Sequence, residues 1–327
     1  MADRVAFLTG GTGFVGSHVA EALLRAGWKV RALARRPAED LAPRSSFEWV
    51  SGDLSSRADL AGAAKGCQAI VHVAGLVKAR TLEEYREVNV RGTERLIAAA
   101  RGSSPEALFV LVSSQAAAGP AVDGRPVREG DSVRPVSWYG LSKREAELAV
   151  ETEWEGPWIV LRPCVVYGPR DRGLLFLFAG AARGLVPVPA ARSQIQLIAA
   201  EQVAFAIARA AGRPDLSGRA GFLSDPKPVT IADFAAALSR LPARPARLLR
   251  IPDLLVRLAG LAETLREAAT HRSRPFNADK AREILAGDWI CDPAPMRRDL
   301  DLPPPLRLGE GLRATWNWYI REGWLNL

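Results

Sequence analysis

The chain has 327 residues and a mass of 35.3 kDa, more than one hydrophobic core usually serves and enough for a large α/β domain plus a smaller lobe. Hydrophobic residues make up 48% and charged residues 24%, which excludes a disordered or fibrous chain. A formal charge of +8 raises the question of an acidic partner, but the basic residues run no longer than pairs such as Arg35-Arg36 and Arg297-Arg298, so nucleic-acid binding is not expected.

In chain order, an apolar run at residues 4–9 is followed by a helical pattern from Phe14, a second run at 29–34, a helical stretch at 56–64 and then a run at 69–74. The rhythm continues with a helix at 85–100, a strand at 108–113, a helix starting near Tyr139 and a strand at 158–162. Apolar strands separated by helices predict a parallel sheet covered on both faces, since parallel strands need crossover connections. Residues 1–168 are therefore expected to form a doubly wound α/β domain. Residues 169–327 are expected to form mainly a smaller, mostly helical substrate lobe, with some segments returning to the first domain. Pro187, Pro189, Pro226, Pro228, Pro242, Pro245 and Pro252 punctuate its helical stretches.

Within that lobe the amphipathic stretch 252–269 lies among arginines that thicken between Arg240 and Arg274. It is expected to pack in the lobe rather than rest on an anionic membrane surface. Cys67, Cys164 and Cys291 are odd in number and far apart, which suggests neither a disulfide framework nor a zinc site. No apolar run reaches the roughly 18–20 residues of a membrane span, and no cleavable leader opens the chain, so a cytoplasmic protein is expected. No His, Cys, Asp or Glu cluster has metal-ligand spacing, and no metal is expected.

Thr9-Gly10-Gly11-Thr12-Gly13-Phe14-Val15-Gly16 joins the first strand to the first helix. Glycine lets a backbone turn tightly and approach a pyrophosphate, while the following helix offers unpaired amide hydrogens and its positive dipole end. Gly10, Gly13 and Gly16, with Phe14 and Val15 between them, are candidate dinucleotide contacts. After the second strand, where an acidic residue would accept from the free ribose hydroxyl of NAD, the chain reads Ala34-Arg35-Arg36. Two guanidinium groups suit the extra 2′-phosphate of NADP, so Arg35 and Arg36 are its candidate ligands and NADP is preferred over NAD. Asp53, beside Leu54 after the third strand, is a candidate acceptor for the adenine amino group.

Tyr139 and Lys143 are four apart on a predicted helix and share a face. A phenol with its ordinary pKa of about 10 is a poor base at neutral pH, and a nearby ammonium makes proton exchange with an alcohol feasible. Ser113 and Ser114 end an apolar strand at the carboxyl edge of the sheet, where ligands sit in open α/β folds. Ser114 is the candidate that holds the substrate oxygen, with Ser113 as its alternative. His18 and His72 are expected to have core or supporting roles.

Together with His72-Val73-Ala74-Gly75, Asn89-Val90-Arg91-Gly92-Thr93 and Arg162-Pro163 through Tyr167-Gly168-Pro169, these motifs stand in an order that resembles the extended short-chain dehydrogenases/reductases. That assemblage includes epimerases, dehydratases and 3β-hydroxysteroid dehydrogenases, and the resemblance spans the first 170 residues. It implies a Rossmann domain, Tyr139 as acid/base, Lys143 also gripping the nicotinamide ribose, and Ser114 binding the reacting oxygen. It adds Ala74, Pro163 and Val166 as cofactor contacts, Asn89 as a supporting or simply structural amide, and, by analogy of fold, dimerisation through the helices at 85–100 and 139–151.

Where sugar-nucleotide dehydratases follow the active-site threonine with an acidic pair, this chain has Gln115 and Ala116, which speaks against dehydration. The runs Phe276-Asn277-Ala278-Asp279-Lys280-Ala281, Trp289-Ile290-Cys291-Asp292 and Gly323-Trp324-Leu325 resemble the 3β-hydroxysteroid dehydrogenase and dihydroflavonol reductase branches, with Leu300-Asp301 where relatives often have Leu-Gly. The activity expected is an NADP(H)-dependent interconversion of alcohol and carbonyl on a small or lipophilic molecule. The apolar stretch 174–178 is either plain core or a wall of its pocket. Two other readings stay open: a nucleotide-sugar epimerase that retains its cofactor, and a non-catalytic NADP-binding redox sensor or assembly factor.

Overall fold

A computed structural model of the chain describes residues 4–36, 45–55, 59–190, 193–274 and 276–325. Seven strands form one parallel sheet in the spatial order Arg219–Leu223, Trp158–Pro163, Leu108–Val112, Ala69–His72, Val5–Thr9, Lys29–Ala34, Phe47–Ser51. Every residue of Ala69–His72 and Leu108–Val112 is buried. Burial on both faces is why these strands read as unbroken apolar runs without alternation. Register is shared across the centre, where Ala6 pairs with Val30 on one side and Ala69 on the other. The sheet is the doubly wound Rossmann type, and its order reverses at Val5–Thr9. At such a switch point a crevice opens outside the carboxyl ends of the strands.

Helix Phe14–Arg25 buries Val19, Ala20 and Leu23 against the sheet and packs on Ala200–Ala210, whose Val203, Ala204 and Ile207 enter the same core. The helix expected at 56–64 begins at Leu60, where the Asp59 carboxylate accepts from the Gly62 amide; residues 56–58 lie outside the described residues. The single helix expected at 85–100 is two, Leu82–Asn89 and Arg91–Ser103. At the break the Thr93 hydroxyl donates to the Asn89 carbonyl at 2.7 Å, a side chain competing for a helical acceptor.

The second half of the chain supplies the sheet's edge strand Arg219–Leu223 and helix Ala200–Ala210, as well as the lobe. The lobe is mostly helical with short strand pairs: Leu185–Pro189 runs parallel to Arg247–Ile251, and Gln194–Ile195 antiparallel to Val229–Thr230. Pro187 and Pro189 thus fall within a strand, tolerated because a two-stranded ribbon is all edge. The lobe's own core gathers Phe178, Phe234, Leu238, Trp316 and Tyr319, with the Phe178 and Tyr319 rings edge to face at 5.0 Å. The stretch 174–178 divides accordingly: Phe178 is core, Leu174, Leu175 and Leu177 are partly buried, and Phe176 is exposed.

Helix Asp253–Thr270 packs on Ala278–Ile284 as expected of a helix of the lobe, but by one narrow side only. Only Val256, Gly260 and Glu267 are buried, so the helix expected to pack in the lobe turns its leucines to solvent. It touches the protein through Gly260, where a Cβ would come within 2.8 Å of the Ala281 Cβ. So close an approach needs only a narrow strip of helix surface.

Candidate active site

The glycine loop turns at the carboxyl end of Val5–Thr9. Gly10 has φ +77°, and a Cβ there would fall 2.6 Å from the Ala74 amide nitrogen, so the loops after Val5–Thr9 and Ala69–His72 touch at the switch point. A Cβ at Gly16 would stand 1.9 Å from the Gly10 carbonyl oxygen. Gly13 differs: its Cβ position meets only the Gly10 oxygen, at 3.2 Å, and is otherwise open. Gly13 caps Phe14–Arg25 without a side-chain hydrogen bond, leaving the first amides of the helix unpaired. A backbone cradle open on one side and lined with free donors fits a dinucleotide pyrophosphate.

Arg35 and Arg36 follow the neighbouring strand, both exposed. Asp53 accepts from the Ser55 amide at 2.7 Å, and the Leu54 side chain lies over Gly92. Beneath the loop, Thr9 Oγ1 meets His72 Nδ1 at 2.6 Å, and His72 Nε2 meets Thr93 Oγ1 at 3.0 Å. Thr93 spends its own proton on the Asn89 carbonyl, so it accepts from Nε2–H, and His72 Nδ1 accepts from Thr9. Burial pushes His72 down to about 3. It is a neutral bridge, and His18, bonded through Nε2 to the Pro169 carbonyl at 2.9 Å, is likewise a structural contact.

Ser137 caps Trp138–Glu153, accepting from the Gly140 amide at 3.0 Å, and so places Tyr139 in the first turn. A Cβ at Gly140 would lie 2.2 Å from the Ala116 carbonyl oxygen; its absence lets this turn approach the short helix Gln115–Ala118, which Ser114 caps through the Ala116 amide at 3.1 Å. Tyr139 is partly buried, and its phenol has the Ser114 hydroxyl within hydrogen-bonding reach. Burial pushes Tyr139 up to about 12, against the opposing effect of Ser114. Lys143 is buried and donates to the Val112 carbonyl at 2.7 Å. Burial pushes it down to about 8, against the opposing charge of Glu147.

Ser113 is committed elsewhere. It donates to Glu147 Oε1 at 2.5 Å, and the same buried carboxylate takes Arg162 Nε at 2.9 Å, Arg162 Nη2 at 2.7 Å and Arg144 Nη1 at 3.0 Å. Glu147 was missed in the sequence, although 139, 143 and 147 step along one helix face. Asn89 clamps the loop after Ala69–His72, its Oδ1 accepting from the Leu76 amide at 2.7 Å and its Nδ2 donating to Ser142 at 2.9 Å. Also unforeseen is Gln115, whose Nε2 is buried with no hydrogen-bond partner among the described residues. Pro163 ends its strand, Val166 pairs with Ile198, and the Cβ position of nearby Gly168 lies 3.9 Å from the Phe14 ring, so this segment reaches the glycine-loop helix.

Among known proteins, the NAD dependent epimerase/dehydratase family matches residues 6–221. The ceramide reductase of Caulobacter vibrioides is 34% identical over 99% of this chain and 97% of its own length. A 4-hydroxy-2-methyl-3-oxo-4-farnesyl-3,4-dihydroquinoline-1-oxide ketoreductase of Stigmatella aurantiaca is 29% identical over 94% of each chain. Among solved structures, MoeE5 in complex with UDP-glucose and NAD has a TM-score of 0.76 at 24% identity, covering 98% of this chain and 99% of that one, a likeness of fold.

Proposed function

Because this chain belongs to the NAD-dependent epimerase/dehydratase family and is an enzyme of the NAD(P)-dependent type, we propose that it is an NADP(H)-dependent reductase of a lipophilic ketone or aldehyde, with Tyr139 as proton donor. One observation carries this reading: Tyr139, with Ser114 in reach and Lys143 one turn on, stands at the carboxyl edge of the sheet beside the glycine cradle. Gly10, Gly13, Gly16 and the amides of Phe14 and Val15 would hold the pyrophosphate, Arg35 and Arg36 the 2′-phosphate, and Asp53 and Leu54 the adenine. Ala74, Pro163, Val166 and Lys143 would flank the nicotinamide half.

A bound nicotinamide supplies the hydride. The Ser114 hydroxyl donates to the carbonyl oxygen, and Tyr139 releases its phenolic proton as negative charge develops there. A phenol at about 12 is a weak acid, but an alkoxide is a far stronger base, so delivery runs downhill. Taking a proton from an alcohol at neutral pH would first require ionising that phenol. Lys143, at about 8, stays largely protonated at neutral pH and its ammonium stabilises the phenolate left behind. The names of the Caulobacter and Stigmatella relatives, one a ceramide and one a farnesylated substrate, support a lipophilic molecule.

NADPH consumption against ketone-bearing ceramide analogues, farnesylated ketones, 3-ketosteroids and small aldehydes tests the reading. Turnover of lipophilic carbonyls should fall about 10²- to 10⁴-fold in Tyr139→Phe. Arg35→Ala/Arg36→Ala should erase a preference for NADPH over NADH of about tenfold or more. Tight NADPH binding without reduction of any carbonyl would transfer the site to an epimerase with retained cofactor, and turnover that survives Tyr139→Phe would remove Tyr139 from the reaction.

A further inference from the structure

Helix Asp253–Thr270 presents a face that no described part of the chain covers. Leu254, Leu258, Leu261 and Leu265 recur at the three- and four-residue steps of one helix side, and with Leu255 they are 51–73% exposed. Val256, Gly260 and Glu267 lie buried on the opposite side. The helix is therefore amphipathic in the sense reverse to a core helix, with its leucines aimed away from the protein. A single exposed leucine needs no explanation, but five on one helix make a patch of the kind that marks an interaction site.

Charge identifies the occupant. Residues 240–274 hold eight arginines against three acidic residues, a net of +5 within a chain of +8. Two of the three acids are engaged by the protein itself: buried Glu267 accepts from the Arg274 amide at 2.6 Å, and Glu263 pairs with Arg274 at 3.2 Å, while Asp253 stays exposed in the first turn. The 3.6-residue turn sets Arg257 and Arg266 on the two flanks of the leucine stripe, and Arg247 and Arg250 stand exposed on the strand that leads into the helix. Arg266 pairs with Glu263 at 3.6 Å, whereas Arg247, Arg250 and Arg257 have no acidic partner among the described residues. An apolar stripe bordered by unpaired guanidinium groups matches the boundary of an anionic bilayer, with acyl chains below and phosphates above, where arginine stems also lie along apolar surface. A second copy would bring the same arginines against these ones and be repelled. No helix among the described residues is long and apolar enough to cross a membrane, so the contact lies in the plane of the surface.

We infer that the chain docks on anionic lipid surfaces through helix Asp253–Thr270. That helix packs on Ala278–Ile284, whose Asp279 accepts from the Trp138 amide at 3.0 Å and whose Glu283 accepts from the Ser137 hydroxyl at 2.8 Å. The lipid-facing helix thus stands one short helix away from the turn that carries Tyr139, a short route for a lipophilic molecule. Docking goes beyond the reductase reading, and its test needs no substrate and no turnover, so the two can fail separately.

The full chain is floated with vesicles of equal parts phosphatidylglycerol and phosphatidylcholine, or of phosphatidylcholine alone. The anionic vesicles should carry about tenfold more protein, with the difference shrinking at about 0.5 M salt. Leu258→Asp/Leu265→Asp should cut the floated fraction about tenfold, and Arg250→Glu/Arg257→Glu should remove the preference for anionic lipid, both with wild-type melting temperature and NADPH affinity. A wild-type chain that stays at the bottom with anionic vesicles overturns the proposal, as does a leucine variant that floats as well as wild type. A wild-type dimer that the leucine variant splits, without vesicle binding, assigns the face to a second copy instead.

Discussion

At the nucleotide end and at helix Asp253–Thr270, glycine lets two segments approach closely, yet the surroundings of the two contacts differ completely. Gly16 sits where backbone meets backbone, itself buried in the first turn of a helix whose Val19, Ala20 and Leu23 join the core against the sheet. Gly260 brings one helix against another along a strip so narrow that the leucines beside it stay in solvent. Close approach alone therefore does not make a core; the area enclosed around it does. Two substitutions sharpen the contrast. Gly16→Ala puts a methyl 1.9 Å from a carbonyl oxygen that cannot move without the whole loop, and should cost about 3 kcal/mol or more and abolish NADPH binding. Leu261→Ser removes a larger side chain and should change stability by less than about 0.5 kcal/mol. Urea unfolding with a cofactor titration measures both; a loss in Leu261→Ser as large as in Gly16→Ala would mean that the helix is packed and the comparison false.

The nucleotide end also buries a cation, whereas the arginines of the leucine helix stay exposed. Lys143 is brought from its ordinary 10.5 to about 8, which sets a sign. Below pH 8 the lysine is protonated in both folded and unfolded chains, and the full cost of burying its charge, on the order of 3 kcal/mol, opposes folding. Between about 8 and 10.5 the folded protein loses the proton while the unfolded chain keeps it, so stability from this group rises with pH and levels off above. Lys143→Met should therefore be the more stable protein at pH 7 without cofactor, by about 1–3 kcal/mol once the lost bond to the Val112 carbonyl is counted. Its advantage over wild type should shrink as pH climbs from 8 to 10.5. An advantage that is absent at pH 7 or independent of pH would show that Lys143 is not held against its charge.

The same contrast explains what could be read from residues alone. At the centre of the parallel sheet the strands are buried on both faces and the crossover helices are periodic, so local pattern and tertiary position agree. The glycine loop, Ser114, Tyr139 and Lys143 were legible because their chemistry demands particular residue types at fixed spacing. Glu147 was not, because a buried acid paired with Arg162 from a strand fifteen residues away leaves only a helix-face coincidence in the sequence. The single helix expected at 85–100 failed because the helix breaks at Val90, a local change of backbone that periodicity does not register. For helix Asp253–Thr270 the pattern gave the helix but not how little of its apolar surface is covered: amphipathicity marks an apolar face without saying what covers it.

The smallest effect lies where the second half of the chain returns to the sheet. Helix Ala294–Asp299 ends with Asp301 at φ +50°, its amide bonded to the Arg298 carbonyl at 3.2 Å and that of Leu302 to the Arg297 carbonyl at 2.9 Å. This is a left-handed helix end that glycine adopts freely, which gives a physical reason for the Leu-Gly of similar proteins. The aspartate costs about 1 kcal/mol of backbone strain there, offset in part by its pairing with Arg209 at 2.5 Å. Both partners of that pair are well exposed, 44% and 70%, so it contributes little and fades with salt. In about 1 M salt, Asp301→Gly should gain about 0.5 kcal/mol over wild type, because glycine's extra freedom in the unfolded chain takes back part of the relief. Asp301→Asn, which tolerates the same backbone without the charge, should stay level with wild type under those conditions. A loss of more than about 1 kcal/mol in both variants would mean that Arg209 rather than the backbone governs this helix end, and that the strand edge depends on an ion pair where the rest of the nucleotide half depends on burial.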